Sequence, residues 1–281
     1  MTSVSNVNHS RGILLLVMTT LIWGTSFPLL KHTLTDVSSP AILATRFAIA
    51  ALVFSPWLRK LNPALLRDGV LLGCLYFAEC TAALVGLETI SASRSAFLVS
   101  LNVIFVPMLS VVLGQRISSR ILAAAGLAIV GIGIMSWEGG GFGYGDVLTL
   151  ACAIGVAIYI LTLEVITPRH PTLPLVAIQL LTMAVLSLIW AGPTLLGEVG
   201  AIATHANALL YLGLVVTATP IWTQALAQRW VASYEAALLY TLEPVFAALF
   251  SLWLLGETLG LRGLLGAGLI LMAMTLSQKG E

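Results

Sequence analysis

The charges of this chain are clumped, and between the clumps lie apolar runs of close to 20 residues. A helix needs about 20 apolar residues to cross the hydrocarbon core of a bilayer. Within that core every backbone N–H and C=O must find a partner inside the protein, which leaves helices or a closed barrel. Barrel strands alternate polar and apolar positions over about 10 residues, and these runs do not alternate. Only 9% of the residues are charged and 59% are hydrophobic, against about 25% charged in an average soluble domain. So little charge cannot cover a water-facing surface. The expected fold class is all-α and integral to the membrane.

Ten transmembrane helices can be drawn, over 12–32, 40–58, 68–87, 93–113, 119–137, 145–166, 174–191, 207–229, 233–254 and 259–276. Turn signals separate most of them, among them Ser38-Ser39-Pro40, the glycine-rich stretch from Gly139 to Gly145 and Pro168-Arg-His-Pro171. The connections at Arg229 and at Gly256-Glu257 are very short. No small-residue cleavage site follows Arg11, so the first run is read as a retained span and not as a signal peptide. An even number of spans places both termini on one side. With that side cytoplasmic, its loops carry Arg11, Arg59, Lys60, Arg67, Arg116, Arg120, Arg169, Arg229 and Lys279. The opposite side carries Lys31, Arg94 and Arg262. Cationic loops resist translocation, so this distribution favours both the span count and cytoplasmic termini.

The run Ser93-Arg-Ser-Ala-Phe-Leu with Pro107, Gly114-Gln115, Arg120 and Gly126 is echoed by Ser233-Tyr-Glu-Ala-Ala-Leu with Pro244, Gly256-Glu257, Arg262 and Gly268. The offset grows from 140 to 142 residues along the way. Half of ten spans is an odd number, so the second half enters the membrane from the opposite face. This is the inverted-topology layout of many secondary transporters. The two repeats expected are 1–138 and 139–281.

Several short stretches together resemble the drug/metabolite transporter superfamily, in its ten-helix EamA type. They are Trp23-Gly-Thr-Ser-Phe-Pro28, Thr45-Arg-Phe47, Ser91-Ala-Ser-Arg-Ser-Ala96, Phe105-Val-Pro107, Gly145-Asp146, Leu242-Glu-Pro-Val-Phe-Ala-Ala-Leu249 and Leu255-Gly-Glu257. The resemblance implies two inverted five-helix repeats around a central cavity. It also implies export of small metabolites, amino acids prominent among them, across the plasma membrane, which in bacteria is the inner membrane. The acidic residue that the family carries after the fourth span is here Gln115, while Glu257 keeps it in the second half.

Ionisable groups at membrane depth cost at least ~2.5 kcal/mol on insertion scales, so they usually face a cavity or a partner. Glu243 falls near the middle of its run and is followed by Pro244, which frees the carbonyl near Tyr240. Two readings stay open. Either Glu243 faces the cavity and holds a proton or a cationic group of the substrate, or it is a protonated or hydrogen-bonded structural residue. Glu79 lies mid-span one turn from Tyr76. Its depth matches that of Arg46, and an Arg46–Glu79 structural ion pair is expected. Further candidates for substrate binding are Trp23, Ser26, Asn102, Tyr159, Gln179, Trp222, Gln224 and Tyr240. Any one of them also fits simple helix packing. Together they describe an aromatic-walled space with few polar anchors, suited to small, partly apolar solutes. Pro28, Pro107, Pro220 and Pro244 are expected to kink their helices.

The three cysteines lie inside apolar runs and are read as buried thiols without a disulfide. The four histidines fall in tails or loops, so no metal site and no cofactor is expected. A net charge of +1 gives no argument for nucleic acid. The expected partners are a small-molecule substrate and the lipid bilayer. Small-xxx-small spacings at Ala124/Ala128 and Gly263/Ala267 are read as packing within one chain, hence a monomer. Gly143-Tyr-Gly-Asp146 matches the string of intramembrane aspartyl proteases. Asp36 and Asp68 lie at span ends, however, which leaves no second aspartate to share the proton, and Asp146 reads as a helix cap. No filter-like loop suggests a channel. The function expected is therefore a secondary transporter exporting amino acids or similar metabolites by alternating access, with a multidrug exporter of lipophilic cations as the runner-up. No enzymatic activity is expected.

Overall fold

The computed structural model describes residues 2–58, 61–136, 143–255 and 260–278. Arg59, Lys60, the glycines of 139–142, Gly256, Glu257 and Lys279, on which parts of the reading above rest, lie outside them. Among the described residues there is no strand. The first apolar run forms α1 (Thr2–Gly24) and α2 (Ser26–Thr33), then come α3 (Ser39–Phe54) and α4 (Pro63–Thr89). The fourth run is α5 (Ala92–Ser100) and α6 (Asn102–Val112), the fifth α7 (Ser119–Ser136), the sixth α8 (Tyr144–Ile166) and the seventh α9 (Thr172–Ala191). Two short helices, α10 (Thr194–Gly197) and α11 (Val199–Thr204), lead to α12 (Ala206–Tyr211). A π-helical segment over Leu212–Ala218 joins it to α13 (Thr219–Ala227). The chain ends with α14 (Ser233–Tyr240), α15 (Glu243–Leu255) and α16 (Leu261–Gln278).

Seven helical stretches are long and apolar enough to cross a membrane: Val7–Thr33, Ser39–Trp57, Pro63–Thr89, Arg94–Val112, Tyr144–Arg169, Thr172–Ala191 and Ala206–Ala227. The fifth and tenth runs are helical, but their apolar parts, Ser119–Ile134 and Leu261–Ala273, are shorter. The ninth is split between α14 and α15. The chain is an all-α integral membrane protein. Large apolar side chains such as Leu52, Val112, Ile189 and Leu271 are exposed. Water does not tolerate a surface so rich in exposed apolar groups, whereas lipid does.

The helices are interrupted where the sequence withdraws a backbone donor. Pro28 has no N–H for Gly24, and the first run breaks at Thr25, whose hydroxyl donates to the Ile22 carbonyl at 2.6 Å. Pro244 leaves the Tyr240 carbonyl without its helical partner, and the ninth run breaks over Thr241-Leu242. Pro220 likewise has nothing to donate to Val216, and the chain before it widens into the π-helical segment. Pro107 differs from expectation. The helix α6 runs straight through it, and the break lies six residues earlier at Leu101, where the Asn102 side-chain amide donates to the Val99 carbonyl at 2.8 Å.

The break at Leu101 recurs 140 residues on, at Thr241. Their backbone angles are φ −63°, ψ −11° and φ −66°, ψ −10°. The Leu101 N–H reaches the carbonyls of Leu98 and Val99, and the Thr241 N–H those of Leu238 and Leu239. The two segments that echo each other in sequence thus make the same turn at the same offset.

Close crossings are built on glycine. A Cβ on Gly145 would lie 2.7 Å from the Gly86 carbonyl oxygen, and one on Gly86 2.9 Å from that of Gly145, so α4 and α8 cross backbone to backbone. Gly73 does the same for α4 and α9, where a Cβ would sit 2.8 Å from the Gln179 carbonyl. Gly131 faces the Gly266 carbonyl at 2.8 Å across α7 and α16, and Ala124 and Ala128 are buried. Those small residues thus serve packing within the chain. α3 packs on α9 and on the π-helical segment, α8 on α5 and α6, and α1 on α13, α14 and α15. Of the cysteines, Cys152 is buried and Cys80 partly so, but Cys74 is exposed on the outer face of α4, contrary to expectation.

Gly145→Ala places a methyl group against fixed backbone and is expected to lower the stability of the detergent-solubilised protein by about 1–3 kcal/mol. Gly126→Ala, where nothing lies within 4 Å, should leave the thermal midpoint unchanged or raise it slightly.

Candidate functional site

The interrupted helices and the middles of their neighbours enclose a cavity of about 130 Å³. One water needs roughly 10–15 Å³ by this measure, so the space admits several waters or one small solute. Trp23, Ser26, Phe27 and Leu30 reach it from the first run, Arg46 from α3, and Tyr76, Glu79, Cys80, Ala83, Leu84 and Leu87 from α4. Val99 and Asn102 come from the break in the fourth run, and Cys152, Val156 and Tyr159 from α8. Val216 and Gln224 flank Pro220, while Tyr240 and Glu243 bracket the break in the ninth run.

The rings form two edge-on pairs. Trp23 meets Tyr240 with centroids 5.3 Å apart, and Tyr76 meets Tyr159 at 5.0 Å. The Trp23 indole N–H also donates to the Val216 carbonyl at 3.3 Å, the oxygen that Pro220 deprives of a helical partner. Gly24, next to Trp23, lets α15 approach: a Cβ there would fall 3.0 Å from the Ala247 nitrogen and 3.2 Å from the Glu243 carbonyl. The Trp-Gly pair thus draws Glu243 up to the first run.

Four side chains that line the cavity carry a buried polar atom without a hydrogen-bond partner: Glu79 Oε2, Asn102 Oδ1, Gln224 Oε1 and Tyr240 Oη. Burying a polar atom unpaired costs about 1–3 kcal/mol, more when it is charged. Such atoms also occur away from the hollow, at Ser38, Thr81, Ser95, Ser110, Thr167 and Gln179, but four of the ten found among the described residues gather around it.

Arg46 is 94% withdrawn from solvent, with a relative exposure of 6%. The expected Arg46–Glu79 ion pair is not formed. Arg46 turns to the π-helical segment, where its Nε donates to the Thr217 hydroxyl at 3.0 Å. That hydroxyl donates in turn to the Leu212 carbonyl five residues back, at 2.7 Å, a reach that the wider π turn supplies. Gly213 makes the contact feasible, since any Cβ there would lie 3.0 Å from the Arg46 carbonyl. The guanidinium carbon sits 5.0 Å from the Phe47 ring centroid. Matching positions along two helices do not fix their azimuth, and the Thr217 hydroxyl lies within reach of Arg46 instead.

Of the other sequence candidates, Gln179 stands behind the wall, with its amide donating to the Tyr159 hydroxyl at 2.9 Å. Trp222 is 37% exposed and is not part of the lining. Thr217 and Val216 were not singled out, and Cys80 and Cys152 were read only as buried thiols. Thr217 in particular gave no signal, because a threonine in an apolar run has no distinguishing neighbour.

Polar ties close both ends of the bundle around this hollow. At one end Lys31 donates to the Leu87 and Ile90 carbonyls, Ser39 to Glu88, and Asp36 pairs with His205 at 2.8 Å. The His205 contact holds the Asp36 carboxyl below the usual carboxylate range. At the same end Asp146 caps α8 through the Gly143 N–H and receives Arg94. At the other end Asp68 pairs with His170, Glu164 accepts from Ser233, and Gln228 donates to the Ile160 carbonyl. Among the described residues no group of histidine, cysteine and carboxylate side chains is arranged to hold a metal.

A helical membrane bundle whose broken spans surround a largely apolar hollow with a few polar anchors has the architecture of a solute transporter. The sequence model of the EamA-like transporter family matches residues 10–137 and again 143–277, and the chain belongs to that family. An uncharacterized transporter of Archaeoglobus fulgidus is 31% identical over 267 residues, 93% of this chain and 83% of that protein. A second from the same organism is 25% identical over 214 residues, 75% of this chain and 76% of its own length. A crystal structure of a chain with 18% identity superimposes with a TM-score of 0.79 over 96% of this chain and 97% of the other, which shows a shared fold.

Thr217→Val removes the acceptor of a buried guanidinium. It should lower the stability of the solubilised protein by about 1–2 kcal/mol, between the values for charged hydrogen bonds in water-soluble proteins and for interhelical bonds in membranes. Thr217→Ser should restore it.

Proposed function

We propose that this chain is a secondary transporter that exports small metabolites, amino acids in particular, by alternating access across the plasma membrane, with both termini cytoplasmic. The observation that carries the reading is the set of unpartnered polar atoms on Glu79, Asn102, Gln224 and Tyr240 around a hollow walled by Trp23, Tyr76 and Tyr159. Ser26, Arg46 and Glu243 complete the proposed binding surface, with Gln179 orienting Tyr159 from behind.

The packing supports two inverted repeats over 1–138 and 139–281 within ten spans. Exchanging each run for the one five places along turns the α4–α8 contact into the α13–α1 contact and the α4–α9 contact into that of the π-helical segment with α3. It returns α7–α16 and α3–α9 to themselves. The matching breaks at Leu101 and Thr241 obey the same exchange. Rocking of one half against the other about the cavity would open the polar ties at one end while those at the other hold. Export and cytoplasmic termini rest on the family and on the distribution of Lys and Arg.

The runner-up, export of lipophilic cations, gains from Glu79 standing free of Arg46. It loses more from the guanidinium that faces the same space.

Counterflow in proteoliposomes tests the proposal. Vesicles preloaded with unlabelled amino acids should transiently accumulate the labelled species with saturable kinetics, and linear, unsaturable entry would contradict a carrier. Glu243 is assigned the coupling proton: wild-type exchange should depend on pH and Glu243→Gln should lose that dependence while retaining exchange. A pH profile unchanged by Glu243→Gln removes it from that role.

A further inference from the structure

The Arg46 guanidinium and the Glu79 carboxyl line one cavity, and no hydrogen bond or ion pair joins them. A guanidinium has five N–H donors and stays charged. The hydrogen bond described for Arg46 uses Nε alone, and besides the Phe47 ring its two terminal nitrogens have no hydrogen-bond acceptor among the described residues. Glu79 Oε2 is buried and unpartnered. Glu79 is held in place by packing, with Gly155 of α8 opposite: a Cβ there would lie 3.3 Å from the Glu79 Cβ. Arg46 is thus turned to Thr217, and the backbone of Glu79 stands close against α8. A buried polar group short of hydrogen bonds is unfavourable, and a guest that offers a carboxylate to Arg46 and an ammonium group to Glu79 satisfies both at once.

We propose that Arg46 and Glu79 are the two poles of a zwitterion site, in which the Arg46 guanidinium holds the carboxylate of an α-amino acid and the Glu79 carboxylate holds its ammonium group. This inference rests on the carrier reading above and specifies how its substrate is recognised. Asn102 Oδ1 and Tyr240 Oη offer further bonds to the ammonium pole. The edge-on rings of Tyr76 and Tyr159 and the apolar flank of Leu84 receive the solute's side chain. The site then rejects amines without a carboxylate, because they leave Arg46 uncompensated and bring a second positive charge to it. It rejects simple carboxylic acids for the converse reason at Glu79.

The test is isothermal titration calorimetry on the full chain in detergent, with L-phenylalanine, its methyl ester and 3-phenylpropionate as probes. Wild type should bind the amino acid at least about tenfold more tightly than either analogue, the loss expected when a charged hydrogen-bonding partner is removed. Arg46→Gln should erase the preference over the ester and keep the preference over 3-phenylpropionate, and Glu79→Gln should do the reverse. Arg46→Lys, which keeps the charge and loses the planar fork, should weaken amino-acid binding by a few fold. It carries the test if Arg46→Gln does not fold. Ratios unchanged in these variants, or wild-type binding of the ester as tight as that of the amino acid, would overturn the zwitterion site. Labelled phenylalanine counterflow on the same preparation separates the two levels. Counterflow with unchanged ratios overturns this inference alone, whereas no counterflow overturns the carrier reading and this inference with it.

Discussion

The structure turns on the cost of burying polar atoms where neither water nor lipid can pair them. A hydrocarbon environment forces backbone groups into helices and drives ionisable side chains toward partners or cavities. Here the polar side chains of α3, α4, α6, α13 and α14 converge on one hollow, and several keep an atom free there. An isosteric apolar core is at least as stable as a half-satisfied polar one, so the unpaired atoms at the hollow do not stabilise the bundle.

That hollow exists because some helices are interrupted and others cross very closely. Glycines at 73, 86 and 145 bring α4, α8 and α9 together backbone to backbone, which concentrates packing in one layer of the bundle. Prolines 28, 220 and 244 act in the opposite sense. Each withdraws a backbone donor, and the freed carbonyls and widened turns lie beside the cavity, at Val216 with Trp23 and at Tyr240 beside Glu243. Irregular backbone at such a position is tolerated where it lines a cavity. The π-helical turn adds a specific product, a threonine hydroxyl positioned to fix one guanidinium.

Much of this was legible in the sequence. The fold class followed from run length and charge spacing alone, and the polar and aromatic half of the cavity wall coincides with residues near the middle of apolar runs, from Trp23 to Glu243. What was not legible depends on rotation about the helix axis and on tertiary contacts. Trp222 and Gln224 are two residues apart, roughly 200° around a helix, and only Gln224 lines the cavity. Arg46 and Glu79 were matched in depth and assumed to touch, but an uncharged threonine in another helix took the bond. Pro107 looked like Pro244 and does not break its helix, because the Asn102 amide supports a turn six residues earlier.

The central claim is that the unpartnered side chains face a solute-accessible hollow rather than lipid or a dry core. A single-cysteine protein carrying Ala83→Cys, in the cavity wall of α4, can be compared with one retaining only Cys74, exposed on the outer face of the same helix. Both are reconstituted in vesicles and treated with a permanently charged methanethiosulfonate reagent. Labelling at position 83 that L-phenylalanine slows, with Cys74 unreactive, is the predicted result. Equal protection of both positions in lipid would contradict the account.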